Sequence, residues 1–368
     1  MKSVLIERFF AFLLSVSLLV AGEFFKFIKT IHLEASEENI FKLCDISTDE
    51  NHFYVLDPLA DFKIKIYDKR GIFLKESGRK GRGPGEFVKP RAIYVSENRV
   101  VIAEKGIYAY EVLDKESLQH VYSKFPNYKM GLCGIDIFLK NERLITSDWG
   151  IHFKQGMGDE TFHGIVYDLK TENMKFLWHN KYWKTGKIVF SYSRADVAPD
   201  GTIYLVYNPY PTIRVYTPDG KFIKEKEIKN PHFIAPTEYE EEEMNHFLRN
   251  WDLKDRASYI NYIQNWSKRY SWVQGVFATK DKIFVFVREF NEKINGWKVW
   301  YTVFDGDLNL ISQFRYLKNS AAGDEEWLNI ISPQIEITYS PDKKYLYLAR
   351  YKDEEGVFIE VYEYRGEK

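Results

Sequence analysis

The feature that most constrains the fold is a repeated unit of strand, acidic turn and strand. Its clearest copies span residues 45–56, 195–206 and 335–348. Their turns are rich in Asp, Asn and Gly, which tolerate positive φ angles or bond their own backbone, and therefore join two antiparallel strands tightly. Residues 212–224 add a third strand, a Pro-Asp-Gly turn and a fourth strand. Each repeat therefore predicts a four-stranded antiparallel meander.

Six such repeats can be aligned along the chain. They share an apolar residue at the same position of the first strand: Ile46, Ile93, Ile137, Val197, Val276 and Ile337. A four-stranded sheet repeated radially is a propeller blade, and six blades close a ring around a central channel. The sixth repeat lacks a fourth strand after residues 357–364, and the alternating run 25–33 can supply it. We therefore predict an all-β, six-bladed β-propeller of four-stranded antiparallel blades, with the N-terminal strand completing the last blade.

Composition agrees with a β-rich fold and argues against one class of partner. Aromatic residues make up 17% of the 368 residues, and ring side chains suit a pleated, half-buried surface. The net charge of -1, from 52 basic and 53 acidic residues, supplies no overall field towards nucleic acid. We therefore expect no nucleic-acid partner.

The first 22 residues predict a signal peptide. Lys2 and Arg8 precede an apolar run at 9–20, which ends in the small residues Ala21 and Gly22. That run is too short for a comfortable membrane span, which needs about 20 apolar residues. We expect an exported protein, periplasmic, cell-surface or extracellular, with residues 23–368 forming the propeller and no membrane span after signal removal. An uncleaved anchor is the alternative.

Cysteine content limits the covalent options. Cys44 and Cys133 are the only cysteines, which rules out a disulfide-stapled scaffold and a multi-cysteine zinc site. They belong to repeats one and three, and non-adjacent blades hold their Cα atoms farther apart than the roughly 7 Å a disulfide allows. Two free thiols are expected, with a single bridge as the alternative.

The segment between the first two repeats carries a recognisable signature. Residues 78–90 read Gly-Arg-Lys-Gly-Arg-Gly-Pro-Gly-Glu-Phe-Val-Lys-Pro. This resembles the NHL-repeat family, in which a Gly-rich turn precedes a Phe and a Pro ahead of the next inner strand. The resemblance implies a module that binds protein or RNA, while related six-bladed rings include lyases and lactonases, so the fold does not select a function. A phosphate loop is not supported, because the Gly-Lys-Ser/Thr order is missing and a strand follows.

A long crossover separates the fourth and fifth repeats. Residues 231–271 far exceed a usual connection, Thr237 and Glu240 form a capping box, and the apolar residues that follow have helical spacing. We predict a small helical insertion at about 236–271 with two helices. It either packs on the propeller or acts as a lid.

Aromatic and basic residues are predicted on the face that carries the crossovers. The ligand-binding candidates are Arg91, Trp149, His152, Arg194, Tyr210, Trp272 and Arg288. Exposed Trp, Tyr and Arg are enriched at recognition sites because they offer rigid area and bidentate donors. The alternative is that the rings fill gaps between blades.

An acidic residue precedes the aligned apolar residue in four repeats: Asp45, Asp136, Asp196 and Glu336. We expect no cofactor; the alternative is a divalent cation, for which these four carboxylates are the candidate ligands. Their simpler role is to accept hydrogen bonds from backbone N–H groups on the free edges of the inner strands. No nucleophile elbow or zinc-protease spacing occurs, so no catalytic residue is identified.

These observations predict an extracytoplasmic binding or interaction protein whose partner is an unknown protein, peptide or carbohydrate. The alternative is a metal-dependent, lactonase-like hydrolase or lyase acting at the channel mouth. Assembly into a larger envelope complex through one face is a third hypothesis.

Overall fold

The computed structural model describes twelve stretches of the chain: residues 24–34, 45–57, 62–104, 109–125, 135–152, 161–180, 192–208, 211–250, 256–294, 296–317, 335–352 and 356–366. The predicted signal peptide, Cys44, Cys133 and Tyr210 lie outside these residues. Within residues 148–152 the backbone is described but the side chains of Trp149 and His152 are not.

The described strands form six antiparallel sheets of four strands each, one per repeat. From the channel outwards, blade one contains β2 (Asp45–Thr48), β3 (His52–Asp57), β4 (Lys63–Asp68) and β5 (Phe73–Ser77). Blade two contains β6 (Pro90–Val95), β7 (Arg99–Glu104), β8 (Ala109–Asp114) and β9 (His120–Lys124). Blade three contains β10 (Ile137–Lys140), β11 (Arg143–His152), β12 (Thr161–Asp168) and β13 (Met174–Asn180).

Blades four to six follow the same order. Blade four contains β14 (Tyr192–Val197), β15 (Ile203–Asn208), β16 (Thr212–Tyr216) and β17 (Phe222–Glu227). Blade five contains β18 (Trp272–Ala278), β19 (Lys282–Asn291), β20 (Gly296–Asp305) and β21 (Leu310–Tyr316), with a 3-10 turn at Glu292–Ile294. Blade six contains β22 (Ile335–Tyr339), β23 (Tyr345–Lys352), β24 (Gly356–Tyr364) and, as its outer strand, β1 (Phe25–His32). The predicted fold class and blade number are confirmed.

The two ends of the chain close the ring. Strand β1 pairs antiparallel with β24, with Phe25 opposite Tyr364 and His32 opposite Phe358. The Phe25 ring is buried and reaches blade five, where its centroid lies 5.0 Å from that of Phe284. The predicted completion of the last blade by the N-terminal strand is confirmed, and this strand also contributes to the core between blades five and six.

Buried apolar side chains fill the space between neighbouring blades. At the closure, Ile31 and Ile359 of blade six pack in one cluster with Ile46 and Phe53 of blade one. Because the second strand of a blade is covered on both faces by neighbouring blades, its residues read as a nearly continuous apolar run, as in His52–Asp57. The outer strands are exposed and carry alternating charges, as in Phe222–Glu227, which discourages edge-to-edge pairing.

The predicted helical insertion is confirmed as two helices, α1 (Glu238–Asn250) and α2 (Arg256–Ser267). A reciprocal capping box starts α1, because the Glu240 carboxylate accepts from the Thr237 N–H at 2.8 Å and Thr237 Oγ1 accepts from the Glu240 N–H at 3.3 Å. Met244, Ile263 and Trp266 are buried in the same cluster as the blade-five strands. The insertion is therefore packed on blade five. Among the described helices none is long and apolar enough to cross a membrane.

Candidate functional site

The centre of the ring contains a cavity of about 670 Å³. All six aligned residues of the repeats line it: Ile46, Ile93, Ile137, Val197, Val276 and Ile337. The cavity reaches the face formed by the turns between the first and second strands, since Ser96, Asn141 and Pro199 also line it. Its volume lies within the roughly 300 to 1,000 Å³ range of small-molecule sites.

Arg194 organises a buried charge cluster at the wall of this cavity. It lies on β14, it is only 5% exposed, and it lines the cavity. Its Nη2 lies 3.1 Å from Asp136 Oδ1 of blade three and 3.1 Å from Glu336 Oε2 of blade six. Although burial opposes the charge, these two carboxylates raise the pKa of Arg194 above its usual range. One guanidinium thus joins three blades across the channel.

Asp45 and Asp136 also join neighbouring blades through the backbone. Asp45 accepts from the Ile46 N–H at 2.8 Å and from the Ile93 N–H of blade two at 2.7 Å. Asp136 accepts from the Ala195 N–H of blade four at 2.7 Å. The expected acceptor role at the inner-strand edges is therefore confirmed. Burial, and next the negative charge of Glu336, raise the pKa of Asp45 well above its usual range.

Asp196 is fully buried and belongs to a second ion pair. Its carboxylate accepts from the Val197 and Ala278 N–H groups, each at 2.7 Å, and lies 2.7 Å from the Lys343 ammonium of blade six. Burial raises the pKa of Asp196 to about 6 and lowers the pKa of Lys343 to about 8. Desolvation therefore outweighs the mutual attraction at both ends of the pair.

Lys343 is a residue that the sequence analysis missed. It occupies the turn position at which the aligned repeat of blade four has Gly201, and both have positive φ angles, 57° and 92°. Its N–H donates to the Ser340 carbonyl at 2.8 Å, as the Gly201 N–H donates to Ala198 at 2.9 Å. A lysine at the position where the otherwise similar Pro-Asp turn of blade four has Gly201 was the available signal, because left-handed backbone disfavours a side chain.

Residues 17–325 match the family model DUF5128, which is described as a 6-bladed β-propeller. The chain belongs to this family. No curated protein matches the sequence.

Among solved structures, this family member is similar to a protein of Bacteroides fragilis described as exported. The TM-score is 0.62 at 11% identity, over 94% of this chain and 97% of that one. Kuenenia stuttgartiensis hydrazine synthase gives 0.47 at 11% identity, over 86% and 75% of the two chains. The extracellular domain of a hybrid two-component system from Bacteroides thetaiotaomicron gives 0.45 at 12% identity, over 88% and 34%. At 11% identity, the similarity to the B. fragilis protein is one of fold alone.

The four carboxylates predicted for a cation separate into two groups in this propeller. Asp45, Asp136 and Glu336 surround the Arg194 guanidinium, whereas Asp196 is paired with Lys343. Within the part of the chain that the structure describes, no three His, Cys, Asp or Glu side chains are arranged to hold a metal ion. The positive charges next to these carboxylates are side chains of the chain itself.

Two of the ligand-binding candidates are core residues of blade five. Trp272 and Arg288 are register partners, 2% and 1% exposed. The Trp272 Nε1–H donates to the Ser267 carbonyl of α2 at 2.8 Å, and the Trp272 ring stacks on Tyr192 with centroids 6.3 Å apart. These rings fill the gap beneath the insertion, which is the alternative that the sequence analysis gave.

The remaining ligand-binding candidates differ in whether they line the cavity. Arg91 lies half-buried on β6 and does not line the cavity, and the backbone of Trp149 and His152 belongs to β11. Among the candidates whose side chains are described, Arg194 alone lines the channel cavity. The structure therefore brings Arg194 together with the acidic residues rather than with the aromatic ones. Tyr94 and Tyr339, which the sequence analysis did not single out, line the same cavity.

Proposed function

We propose that the chain is an extracytoplasmic binding protein whose ligand occupies the central channel. The observation that carries this proposal is the cavity of about 670 Å³ with Arg194 and Asp136 among its lining residues. Small-molecule sites are concave and mostly apolar, with a few placed polar groups that fix the orientation of the ligand. Six apolar inner-strand residues form the wall, and the Arg194 cluster and the Asp196–Lys343 pair supply the polar groups.

Export is the second part of the proposal. Residues 1–22 have the charge, apolar run and small residues of a signal peptide, and residues 23–368 would form the mature propeller. The B. fragilis protein of similar fold and nearly equal length is described as exported. Sequencing the N-terminus of the protein secreted by a bacterial host tests this. We expect a start near residue 22, and an intact Met1 would contradict cleavage.

We also propose that the loop at residues 78–90 is of the NHL-repeat type. The Glu86 carboxylate accepts from the Gly83 N–H at 2.8 Å and from Arg79 Nε at 2.7 Å, and Phe87 is fully buried. The glycines make room for this carboxylate, because a Cβ on Gly81 would collide with it. The loop thus has a structural role in joining blade one to blade two.

A ligand screen with two matched variants tests the channel. Thr338 is partly exposed and lines the cavity, so Thr338→Trp should fill the channel. Tyr239→Ala, at a ring that is 76% exposed on α1, is the control on the crossover side. We expect ligands that raise the melting temperature of the wild type to lose their effect on Thr338→Trp only. Ligands that still stabilise Thr338→Trp but not Tyr239→Ala would move the site to the insertion.

A further inference from the structure

The guanidinium of Arg194 is only partly engaged. Its Nη2 contacts Asp136 and Glu336, while Nε is buried without a hydrogen-bond partner among the described residues. Because Arg194 lines the cavity, its guanidinium is within reach of an entering ligand. A buried donor without an acceptor is destabilising, so a ligand oxygen that accepts from this guanidinium would be favourable.

Hydrogen-bond acceptors stand directly beside this donor. Asp136 lines the same cavity, and its side chain retains 14% exposure although both of its oxygens have partners within the protein. Oδ2 already accepts from the Ala195 N–H and the Ser147 hydroxyl, whereas Oδ1 contacts only Arg194 among the described residues and can accept a further bond. Asp45 also lines the cavity, and its raised pKa means that it keeps its proton to a higher pH than an ordinary aspartate. Donors and acceptors are therefore interleaved at one end of the site.

The charges of the cluster oppose each other. A strongly anionic ligand would meet Asp136, which lines the cavity, and would be repelled also by Glu336 on the other side of the Arg194 guanidinium, whereas a cationic ligand would meet Arg194. The other cations that line the cavity are also engaged: Lys343 with Asp196, Arg99 with Asp114, and Lys140 with the Ala198 and Pro199 carbonyls. Neutral hydroxyl groups face neither repulsion, since each can donate to a carboxylate and accept from the guanidinium.

Aromatic rings line the same cavity. Tyr94 is half-buried, and its ring meets the Phe138 ring edge-on at 5.6 Å. Tyr339 is covered on one face by the Lys343 ammonium, 3.1 Å from the ring centroid, and its hydroxyl is buried without a hydrogen bond among the described residues. The cavity thus offers an apolar ring face next to polar groups that have no hydrogen-bond partner among the described residues. This combination fits a ligand that has both a C–H face and hydroxyls.

We propose that the channel binds a neutral, hydroxyl-rich ligand, a saccharide, whose hydroxyls exchange hydrogen bonds with Arg194 and Asp136 while a sugar face packs on Tyr94. This inference rests on the proposed function, because it names the ligand class of the same channel site. Uronic-acid and 2-amino forms of the same sugar should bind less well than the neutral form. The added carboxylate would be repelled by Asp136 and Glu336, and the added ammonium by Arg194.

The test is an array of mono- and oligosaccharides in neutral, uronic-acid and 2-amino forms, probed with the mature protein. We expect the neutral forms to bind at least tenfold more tightly than their charged counterparts. Thr338→Trp and Arg194→Gln should each weaken this binding at least tenfold, and Tyr239→Ala should leave it unchanged. If Arg194→Gln does not fold, Tyr94→Ala replaces it and should cause a similar loss.

The outcomes distinguish the saccharide ligand class from the channel binding site itself. A tenfold preference for uronic acids or amino sugars would overturn the neutral class and leave a channel site in place. The same holds if no saccharide binds while other compounds stabilise the wild type but not Thr338→Trp. If no compound of any class depends on the channel, both the ligand class and the proposed function fall.

Discussion

The Lys343 ammonium lies 2.7 Å from Oδ2 and 2.9 Å from Oδ1 of Asp196, which joins blade six to blade four at the channel wall. The two residues are 147 positions apart in the sequence. Asp196 is completely buried, and it also accepts backbone hydrogen bonds from blades four and five. One carboxylate therefore fixes the relative positions of three blades beside the cavity.

Replacing Lys343 with glycine should destabilise the protein although it suits the turn. Losing one partner of a buried ion pair costs about 3 to 5 kcal/mol, and relaxing a left-handed backbone returns about 1 kcal/mol. We expect a net loss of about 2 to 4 kcal/mol for Lys343→Gly at pH 7.5, measured by chemical denaturation. Lys344→Ala, at the exposed neighbouring lysine, should change stability by less than about 0.5 kcal/mol. An equal loss of unfolding free energy in both variants would show that the Asp196–Lys343 ion pair does not stabilise the fold.

The same pair predicts a pH dependence of stability. The pKa of Asp196 is about 6 in the folded protein, against an ordinary 3.8, so protons bind the folded state more tightly. The contribution of this carboxyl is complete below pH 4 and is lost as the pH rises through about 6. Relative to the double variant Asp196→Asn/Lys343→Gly, the wild type should lose on the order of 2 kcal/mol between pH 4 and 7.

The other end of the pair acts in a different pH range. The pKa of Lys343 is lowered from 10.5 to about 8, so its contribution is present above pH 10.5 and is lost as the pH falls through 8. Lysine titration therefore does not produce the slope expected between pH 4 and 7. Denaturation curves of the wild type and the double variant across that range decide the sign. A wild type that gains stability with rising pH would mean that attraction outweighs desolvation.

Ring closure predicts a large difference between two glycine substitutions. Gly71 of blade one has a φ of 93°, its carbonyl accepts from the Glu34 N–H at 2.8 Å, and a Cβ there would collide with the His32 carbonyl of the closing segment. Gly356 has a similar φ of 72° but nothing within 4 Å of an added Cβ. Gly356→Ala should cost about 1 kcal/mol, and Gly71→Ala about 1 to 3 kcal/mol more. Equal melting temperatures would contradict tight docking of the N-terminal strand.

Divalent cations should have little effect on this protein. Asp136 and Glu336 are paired with Arg194, and Asp196 is paired with Lys343, so a bound ion would have to displace these side chains. We expect calcium or zinc at millimolar concentration to leave the melting temperature unchanged. A site-bound ion stabilises the native state by mass action, so a rise in melting temperature that EDTA reverses would favour the metal-dependent hydrolase or lyase alternative.

The blades could be predicted from sequence because their signals are local. Turn residues such as Pro199, Asp200 and Gly201, followed by alternating apolar residues, mark each hairpin without reference to the rest of the chain. The missing fourth strand of the last repeat identified Phe25–His32 as its completion. The capping box at Thr237 likewise located the start of the insertion. Local chemistry and repeat register thus determine most of the architecture.

The candidate site could be predicted only in part, because its contacts are long-range. The sequence located Arg194 and four acidic residues on inner strands, yet which of them meet depends on the closed ring: Arg194 and Glu336 are 142 positions apart. Trp272 and Arg288 were expected at an open face, but the apolar side of α2 packs over Trp272 through Trp266. Helix spacing predicts that such a side will be buried and does not say against which blade.

The location of the bound ligand is the most direct test of the account. Hydrogen exchange should be measured on the mature protein with and without the strongest stabilising compound from the screen. We predict slower exchange in the peptides of the inner strands Asp45–Thr48, Pro90–Val95 and Tyr192–Val197, which surround the cavity. Slower exchange confined to the helices Glu238–Asn250 and Arg256–Ser267 would contradict a channel site.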